Sequence, residues 1–356
     1  MQQFALSRTS IEHYLSNATG LRQIFEVSEE AVATHLCGDP LYEAIINSDA
    51  FQRLKDIRFL GAIDYLLRPN GQPANKRHTR YQHSLCVALL GLAHAQLAGL
   101  SKREERSLVV AALLHDIGHA PLSHSVEPAF ASIFKINHHI AGNLIISGSA
   151  PVGKSLPATL RRYGVDPGEL LSLISGNSKL EFAPLFGAPV NIDTIEAISR
   201  SYTYISKEYV ETLPLHVLFA VSGVLLNDIQ VGHEAILDKF WDLKNLVYAK
   251  LIQSPLAIGA DFLARDYINR FKHAMRWQTY FASESTLLRD HKELKIALLS
   301  LPARLRKVDL DTPNAVHIEY KKREFKINKE ISVRKPEDLE RRYYQTKTIE
   351  RIALQM

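Results

Sequence analysis

HTRYQHSL, residues 78–85, and ALLHDIGHAPLSHSVEP, residues 112–128, bracket the stretch whose reading decides the fold. Across them run two apolar segments, 84–100 and 102–115, in which hydrophobic residues recur with a helical rather than an alternating period. The second opens on Ser101 with Glu104 and Glu105 close behind. This is a capped helix start, because a side-chain oxygen takes an orphan amide and carboxylates favour the positive end of the helix dipole. Gly99 closes the first helix, and Gly118 and Pro121 stop the second just after His115-Asp116. The doublet therefore sits at a helix C-terminus and faces a loop with further imidazoles, which places His115, Asp116, His119 and His124 near one another. An unpaired carboxylate ending an apolar helix is expensive to bury, so a bound cation or a buried hydrogen-bond network is expected there. His83, His115, Asp116 and Asp193 make a sound ligand set for one divalent transition metal (Mn, Fe, Ni or Zn), since neutral imidazole suits these ions and carboxylates balance their charge. Taken alone, the doublet reads equally as a helix cap or a satisfied core histidine.

Working outward, helices dominate and the fold class is mainly α. FEVSEEAVATHLCGDP, residues 25–40, alternates apolar and polar residues before a Gly-Asp-Pro turn and suggests a small N-terminal hairpin. Residues 40–67 carry apolar positions at helical spacing, in two helices broken near Asn47-Ser48-Asp49, and RPNGQPANKR (68–77) is a loop by its Pro, Gly and Asn content. Further helices are expected from Ser125, around His138-His139, and over 191–204, 215–226 and 235–254. Near the end, AVHIEYKKREFKINKEISV (315–333) alternates like a hairpin or edge strands under heavy basic decoration. LERRYYQTKTIERIAL (339–354) reads as a final helix.

With 46% apolar residues in 356, the chain can bury a substantial core. The net charge of +5 is spread along the sequence and favours anionic partners only weakly. Cys37 and Cys86 lie far apart without knuckle or disulfide-framework spacing, which suits a reducing compartment. The N-terminus lacks a basic region followed by an apolar core, and no run of eighteen apolar residues occurs. A cytoplasmic protein without membrane association is the expectation.

The motifs resemble a known family. FQRLKDIRFLG (51–61), HTRYQHSLCV (78–87), LLHDIGHAPLSHSVE (113–127), His139 with Gly142, and IDTIEAISR (192–200) occur collinearly as in the HD-domain phosphohydrolases. Within these they are most similar to the deoxynucleoside triphosphate triphosphohydrolases. The resemblance implies an HD-domain helical core with a C-terminal α+β extension: an N-terminal arm with the hairpin over 1–50, the catalytic core over 51–230, and a C-terminal helical region with a short β-hairpin and basic tail over 231–356. It implies metal ligation by His83, His115, Asp116 and Asp193, with an additional Mg as an option. Arg80 would act as a fixed charge on phosphate, with His119 and His139 also touching phosphate. His124 would be the general acid, with Glu127 at i, i+3 orienting its imidazole and raising its pKa. His138 reads as a surface neighbour. A nucleotide substrate, a homo-oligomer and a nucleotide effector are implied as partners.

The match fails at particular positions. Where the dNTP hydrolases carry a sugar-reading Gln this chain has Phe59, and where they carry a phosphate-binding Lys and a sugar-packing Tyr it has Thr194 and Ala197; Ile140 replaces an acidic residue. Metal and proton-transfer positions are kept while sugar-reading positions are not. Another phosphoester, cleaved by a phosphodiesterase or phosphatase, and a non-catalytic nucleotide-sensing module are therefore alternatives. GSAPVGKS (148–155) spells a P-loop, but NHHIAGNLII before it falls within a helix and Pro151 and Pro157 flank it, so a surface loop is expected rather than a P-loop NTPase. The basic segment 321–342 with Tyr343 and Tyr344 raises nucleic acid as a partner, against the plainer reading of a solvated strand face.

Overall fold

A computed structural model describes residues 29–66, 78–206 and 213–355. At its centre are α4 (Arg80–Leu97) and α5 (Lys102–Leu114), preceded by α1 (Glu29–Leu36), α2 (Pro40–Ile46) and α3 (Asp49–Arg53). Helix α4 starts four residues before the expected position because Thr79 and Gln82 form a reciprocal cap, with each side chain accepting from the other's backbone N–H at 3.2 Å. That early start puts Arg80 and His83 in the first turn, one above the other. From Leu85 to Ala95 nearly every side chain of α4 except Cys86 is buried, because α1, α5 and two later helices pack around it. Ser101 and Glu104 cap α5 in the same reciprocal way.

Residues 40–66 break at Asn47-Ser48 as expected, but the second helix ends at Arg53. After α3 the chain tightens into 3-10 turns at Leu54–Asp56 and Gly61–Tyr65, and the stretch between them runs beside the entry to α4. There Phe59 N–H donates to His78 O at 3.0 Å and Arg80 N–H to Ile57 O at 2.9 Å. Tertiary pairing with 78–80 overrides the helical spacing and buries Ile57 and Phe59. The expected hairpin over 25–40 is also corrected. Glu29–Leu36 is a helix whose Val32 and Leu36, four apart, reach the core, and the rest of that expectation, 25–28, lies outside the described residues.

Beyond the His-Asp doublet come α6 (Ser123–Phe134), α7 (His138–Ile146), α8 (Leu156–Arg162), α9 (Pro167–Ile174), α10 (Pro184–Gly187), α11 (Ile192–Tyr202) and α12 (Leu213–Leu225). Gly118 is required here, since a Cβ on it would lie 2.0 Å from His138 O and 2.3 Å from Gly142 N. It lets the N-terminus of α7 close against the doublet's turn. Leu122 and Ser123 both hold positive φ, 62° and 46°, a strained setting for residues with side chains. It is over-determined by hydrogen bonds from Leu122 N–H to Glu284 and from Ser123 Oγ to Arg58 O.

The last third contains α13 (His233–Val247), a single π turn at Tyr248–Ile252, and α14 (Pro255–Arg270), which departs at 62°. Then follow α15 (Trp277–Tyr280), α16 (Glu284–Asp290), α17 (Lys292–Arg304), α18 (Pro336–Arg342) and an antiparallel sheet of β1 (Arg306–Val308), β2 (Val316–Ile327) and β3 (Tyr343–Gln355) in the order β1-β3-β2. The final helix expected over 339–354 is thus a strand for most of its length. Tyr343 ends α18 by burying its ring against Trp241 and donating its hydroxyl to Asp238 at 2.8 Å. From there β3 pairs with β2 from Tyr343 opposite Ile327 to Leu354 opposite Val316. The β-branched residues Thr346, Thr348, Ile349 and Ile352 suit that pairing. One apolar cluster runs from Val32 through α4 and α5 to Tyr343, and a smaller one under the sheet holds Ile258, Ile318, Ile352 and Leu354. Among the described residues no single helix is long and apolar enough to cross a membrane.

Candidate active site

The ends of three helices deliver the histidine and aspartate side chains to one point. His83 comes from the first turn of α4, His115 caps α5 with Asp116 next to it, and Asp193 lies in the first turn of α11, which starts where Asn191 accepts Thr194 N–H at 2.7 Å. His83 Nε2 is 3.2 Å from His115 Nε2, 3.1 Å from Asp193 Oδ1 and 3.4 Å from Asp116 Oδ2. His115 Nε2 is 3.5 Å from Asp116 Oδ2 and 3.8 Å from Asp193 Oδ1.

The other ring nitrogens decide what this point can hold. His83 Nδ1 lies 2.5 Å from Glu196 Oε2, and His115 Nδ1 lies 2.8 Å from Ala112 O, so both are engaged as donors to oxygen. The two Nε2 lone pairs then face each other and two carboxylates, an arrangement that requires a proton or a cation between them. The donors fit a divalent ion: His83, His115 and Asp193 can hold one, with Asp116 within reach of both imidazoles. Burial opposes charge on His83, His115 and Asp116, and less so on Asp193, whose side chain is 48% exposed. The surrounding carboxylates nonetheless lift His83 above the usual imidazole value and His115 to about 9, while the imidazoles hold Asp193 down to about 2. Asp116 is held well below the carboxylate range by His115 and Arg80 despite its burial.

Asp116 also faces the other way. Its Oδ2 accepts from Arg80 Nη1 at 2.5 Å and its Oδ1 is 3.1 Å from His119 Nε2. Arg80 is further fixed by donation from Nε to Ser123 Oγ at 3.1 Å and by stacking of its guanidinium over Phe59 at 5.0 Å. Phe59, which departs from the expected family residue, therefore serves as the platform for Arg80 and also contacts the His83 ring.

A second group of imidazoles adjoins the first. His119 and His138 stack in parallel with ring centres 4.3 Å apart, and His124 meets both rings edge-on. Glu127 Oε2 is 2.6 Å from His138 Nδ1 and 3.4 Å from His124 Nδ1. His138, expected on the surface, is instead 13% exposed and the closer partner of Glu127. Sharing of this carboxylate changes the electrostatics expected of His124. Crowding by the cleft walls, then Arg80 and His138, lowers its pKa although Glu127 pulls upward. With 62% of its side chain exposed, His124 feels desolvation less than its neighbours do. Burial works against ionisation of Glu127, but His124 and His138 hold it well below the carboxylate range. His119 Nδ1 is buried without a hydrogen-bond partner among the described residues. His139 lies exposed at the cleft with its ring 4.0 Å from that of His138.

Both groups open into a cleft of about 380 Å³, lined by Arg80, His115, Asp116, His124, His138, His139 and Asp193. Thr194 and Ala197 line it too, as do three polar residues that the sequence reading did not single out: Lys244 and Tyr248 from the α13 end and Asp261 from α14. The Lys244 Nζ lies over the Trp241 and Phe325 rings at 4.3 and 4.8 Å, and burial lowers its pKa to about 8 against the pull of Asp193. Glu196 was also missed as a site residue; its spacing of three from Asp193 and four from Arg200 was the available signal. Arg200 pairs with Glu196, and burial of the carboxyl is outweighed by Arg200 and His83, which bring it to about 2.

GSAPVGKS lies apart from this cleft. Helix α7 precedes it instead of a strand, Gly153 N–H donates to the Asp49 carboxylate at 3.1 Å, and Lys154 Nζ donates to Gly148 O at 3.0 Å. An amide already bound to a carboxylate cannot cradle a phosphate, in line with the surface loop expected.

The imidazole–aspartate centre lies mostly within residues 80–174, and these residues match the family model of the HD domain. Among curated proteins, an uncharacterized MG461 homolog of Mycoplasma pneumoniae is 32% identical over 144 residues, 40% of this chain and 32% of that protein. The deoxynucleoside triphosphate triphosphohydrolase SAMHD1 of Homo sapiens is 28% identical over 159 residues, 42% of this chain and 24% of that protein. The chain thus spans about a third or less of the length of these relatives. A hypothetical protein from Aquifex aeolicus shares the fold at a TM-score of 0.60 and 15% identity, with 89% of this chain and 95% of that one covered.

Proposed function

We propose that this protein is a metal-dependent HD-domain phosphohydrolase acting on nucleotides, with hydrolysis of a dNTP to deoxynucleoside and triphosphate as the leading reaction. The observation that carries the reading is the convergence of His83, His115, Asp116 and Asp193 beside Arg80 and His124 in one cleft. A divalent transition metal held by these four would supply Lewis acidity toward phosphate and activate water. Arg80, locked between Asp116, Ser123 and Phe59, orients a phosphate oxygen as a fixed cation. His124, exposed to the cleft and held at Nδ1 by Glu127, delivers a proton to the leaving oxygen. His139, which lines the cleft, and His119, stacked behind it on His138, are the further phosphate-side residues of the proposal. The motif resemblance extends the proposal to a homo-oligomer and a nucleotide effector.

Thr194 and Ala197 leave room where the resembled family reads the sugar, which supports a second reading: the same chemistry on another nucleotide phosphoester. A chromatographic screen of metal-reconstituted protein against nucleoside tri-, di-, mono- and cyclic phosphates tests both. Nucleoside plus triphosphate as products supports the first, and nucleoside or nucleotide plus orthophosphate, or an opened cyclic ester, supports the second. No turnover of any member at full metal content overturns the enzyme reading.

A further inference from the structure

Asp261 lines the active cleft from α14, outside the 80–174 match. Its Oδ1 accepts from Ser125 Oγ at 2.6 Å, and the same oxygen of Ser125 accepts Ala62 N–H at 2.9 Å. This clamp exists because residue 61 is glycine: a Cβ there would sit 2.6 Å from Ser125 Oγ and 2.2 Å from Leu122 O, and its φ of +60° suits glycine. Asp261, Ser125 and His124 line the same cleft, so the clamped carboxylate faces the space that holds the leaving group. Among the described residues no ion pair involves Asp261. Burial raises its pKa to about 6, with Ser125 and Arg265 pulling downward. A carboxylate in this setting repels phosphate and attracts hydrogen-bond donors.

Resting on the nucleotide-hydrolase reading above, we propose that Asp261 is a specificity-determining residue that accepts a hydrogen bond from a hydroxyl or amino group of the leaving nucleoside. Phosphate oxygens are mostly unprotonated and negatively charged at neutral pH, so Asp261 marks the nucleoside end of the cleft and Arg80 the phosphate end. Ser125 fixes the carboxylate's orientation before substrate arrives.

The test measures nucleoside binding by calorimetry and needs no turnover. Wild type, Asp261→Asn and Asp261→Glu are titrated with matched pairs: adenosine against 2′-deoxyadenosine, 2′-deoxyadenosine against 2′,3′-dideoxyadenosine, and guanosine against inosine. In at least one pair the wild type should prefer the donor-bearing member, and Asp261→Asn should lose about 10- to 100-fold on that member while binding the other unchanged, the range for a hydrogen bond to a charged group. The pair that responds identifies the sugar or the base as the source of the donor. Asp261→Glu should recover part of the preference if the carboxylate, not the packing, carries it. Equal losses on both members of every pair, no preference in the wild type, or wild-type discrimination retained in Asp261→Asn overturns the proposal. Hydrolysis of bis(p-nitrophenyl) phosphate, whose leaving group has no hydroxyl or amine, is measured in parallel. Its loss in the metal-loaded wild type alongside intact nucleoside discrimination would count against the hydrolase reading and leave the nucleoside contact standing.

Discussion

Replacing Glu196 with glutamine alters no candidate ligand and should still weaken metal binding. Glu196 is buried between two partners, with Oε2 at 2.5 Å from His83 Nδ1 and Oε1 paired with Arg200. Its charge fixes the proton of His83 on Nδ1 and so leaves Nε2 free to ligate. A glutamine has one acceptor and one donor end. If the oxygen turns to Arg200, the amide faces Nδ1 and the ring must move its proton to Nε2; if the oxygen turns to His83, the amide is forced against the guanidinium. Either way the ligating tautomer is penalised. Loss of a carboxylate behind a ligating imidazole typically costs 10- to 100-fold in metal affinity, or about 1.4–2.8 kcal/mol. The fold should survive, since the substitution is isosteric and the packing around α11 is unchanged. The assay is a competition titration of Mn or Zn against a chelator, with circular dichroism as a folding control. Equal affinity in the two proteins would show that the carboxylate does not tune the ligand, and that His83 is not bound through Nε2.

Three other outcomes follow from the same geometry. His124→Ala should retain the metal and lower turnover by about 10²-fold, the usual size of a general-acid contribution, and unchanged kcat at saturating substrate would assign His124 a structural role. His115→Ala should abolish turnover in a folded protein, whereas Lys154→Ala, which removes only an exposed bond to Gly148 O, should leave turnover within about twofold and stability within about 0.5 kcal/mol; the reverse ranking on one nucleotide panel would reinstate the P-loop. His94 is buried on α4 beside Ser222, and burial lowers its pKa to about 4. The unfolded chain therefore binds the proton first, so this contribution to stability is intact above about pH 6.5 and lost as pH falls toward 4, about 2 kcal/mol between pH 7 and pH 5. Urea titrations of wild type and His94→Asn at both pH values check it: the same pH slope in the two proteins would refute the assignment.

Much of the centre was legible because its rules are local. The Ser101 cap, the apolar period after it and the stop at Gly118 depend on neighbours within one or two turns, and they suffice to carry His115 and Asp116 to a helix end. The Thr79/Gln82 cap that puts His83 in the first turn of α4 escapes that reading, which starts the helix at Ser84. Asp193 could be read only because a family resemblance linked it to residues some eighty positions earlier. The basic alternation at 316–327 was also readable as a strand.

What only the tertiary structure decided are the matters that depend on who faces whom across long separations. Glu196 meets His83 over 113 residues and Asp261 meets Ser125 over 136, and no periodicity encodes such meetings. His138 looked like a surface residue because its burial comes from stacking on His119, made possible by the close approach of α7 to Gly118. The segment 343–354 carries good helix formers among β-branched residues; pairing with β2 and burial of Tyr343 settle it as a strand. Likewise Phe59 follows a helical spacing in the sequence, yet the turn that pairs it with His78 places its ring under Arg80. Sequence alone determined most of the helices and the residue types of the candidate site, since capping and periodicity act over a few residues. The three-dimensional packing determined their partners and protonation, because a carboxylate's effect on an imidazole depends on distance and burial.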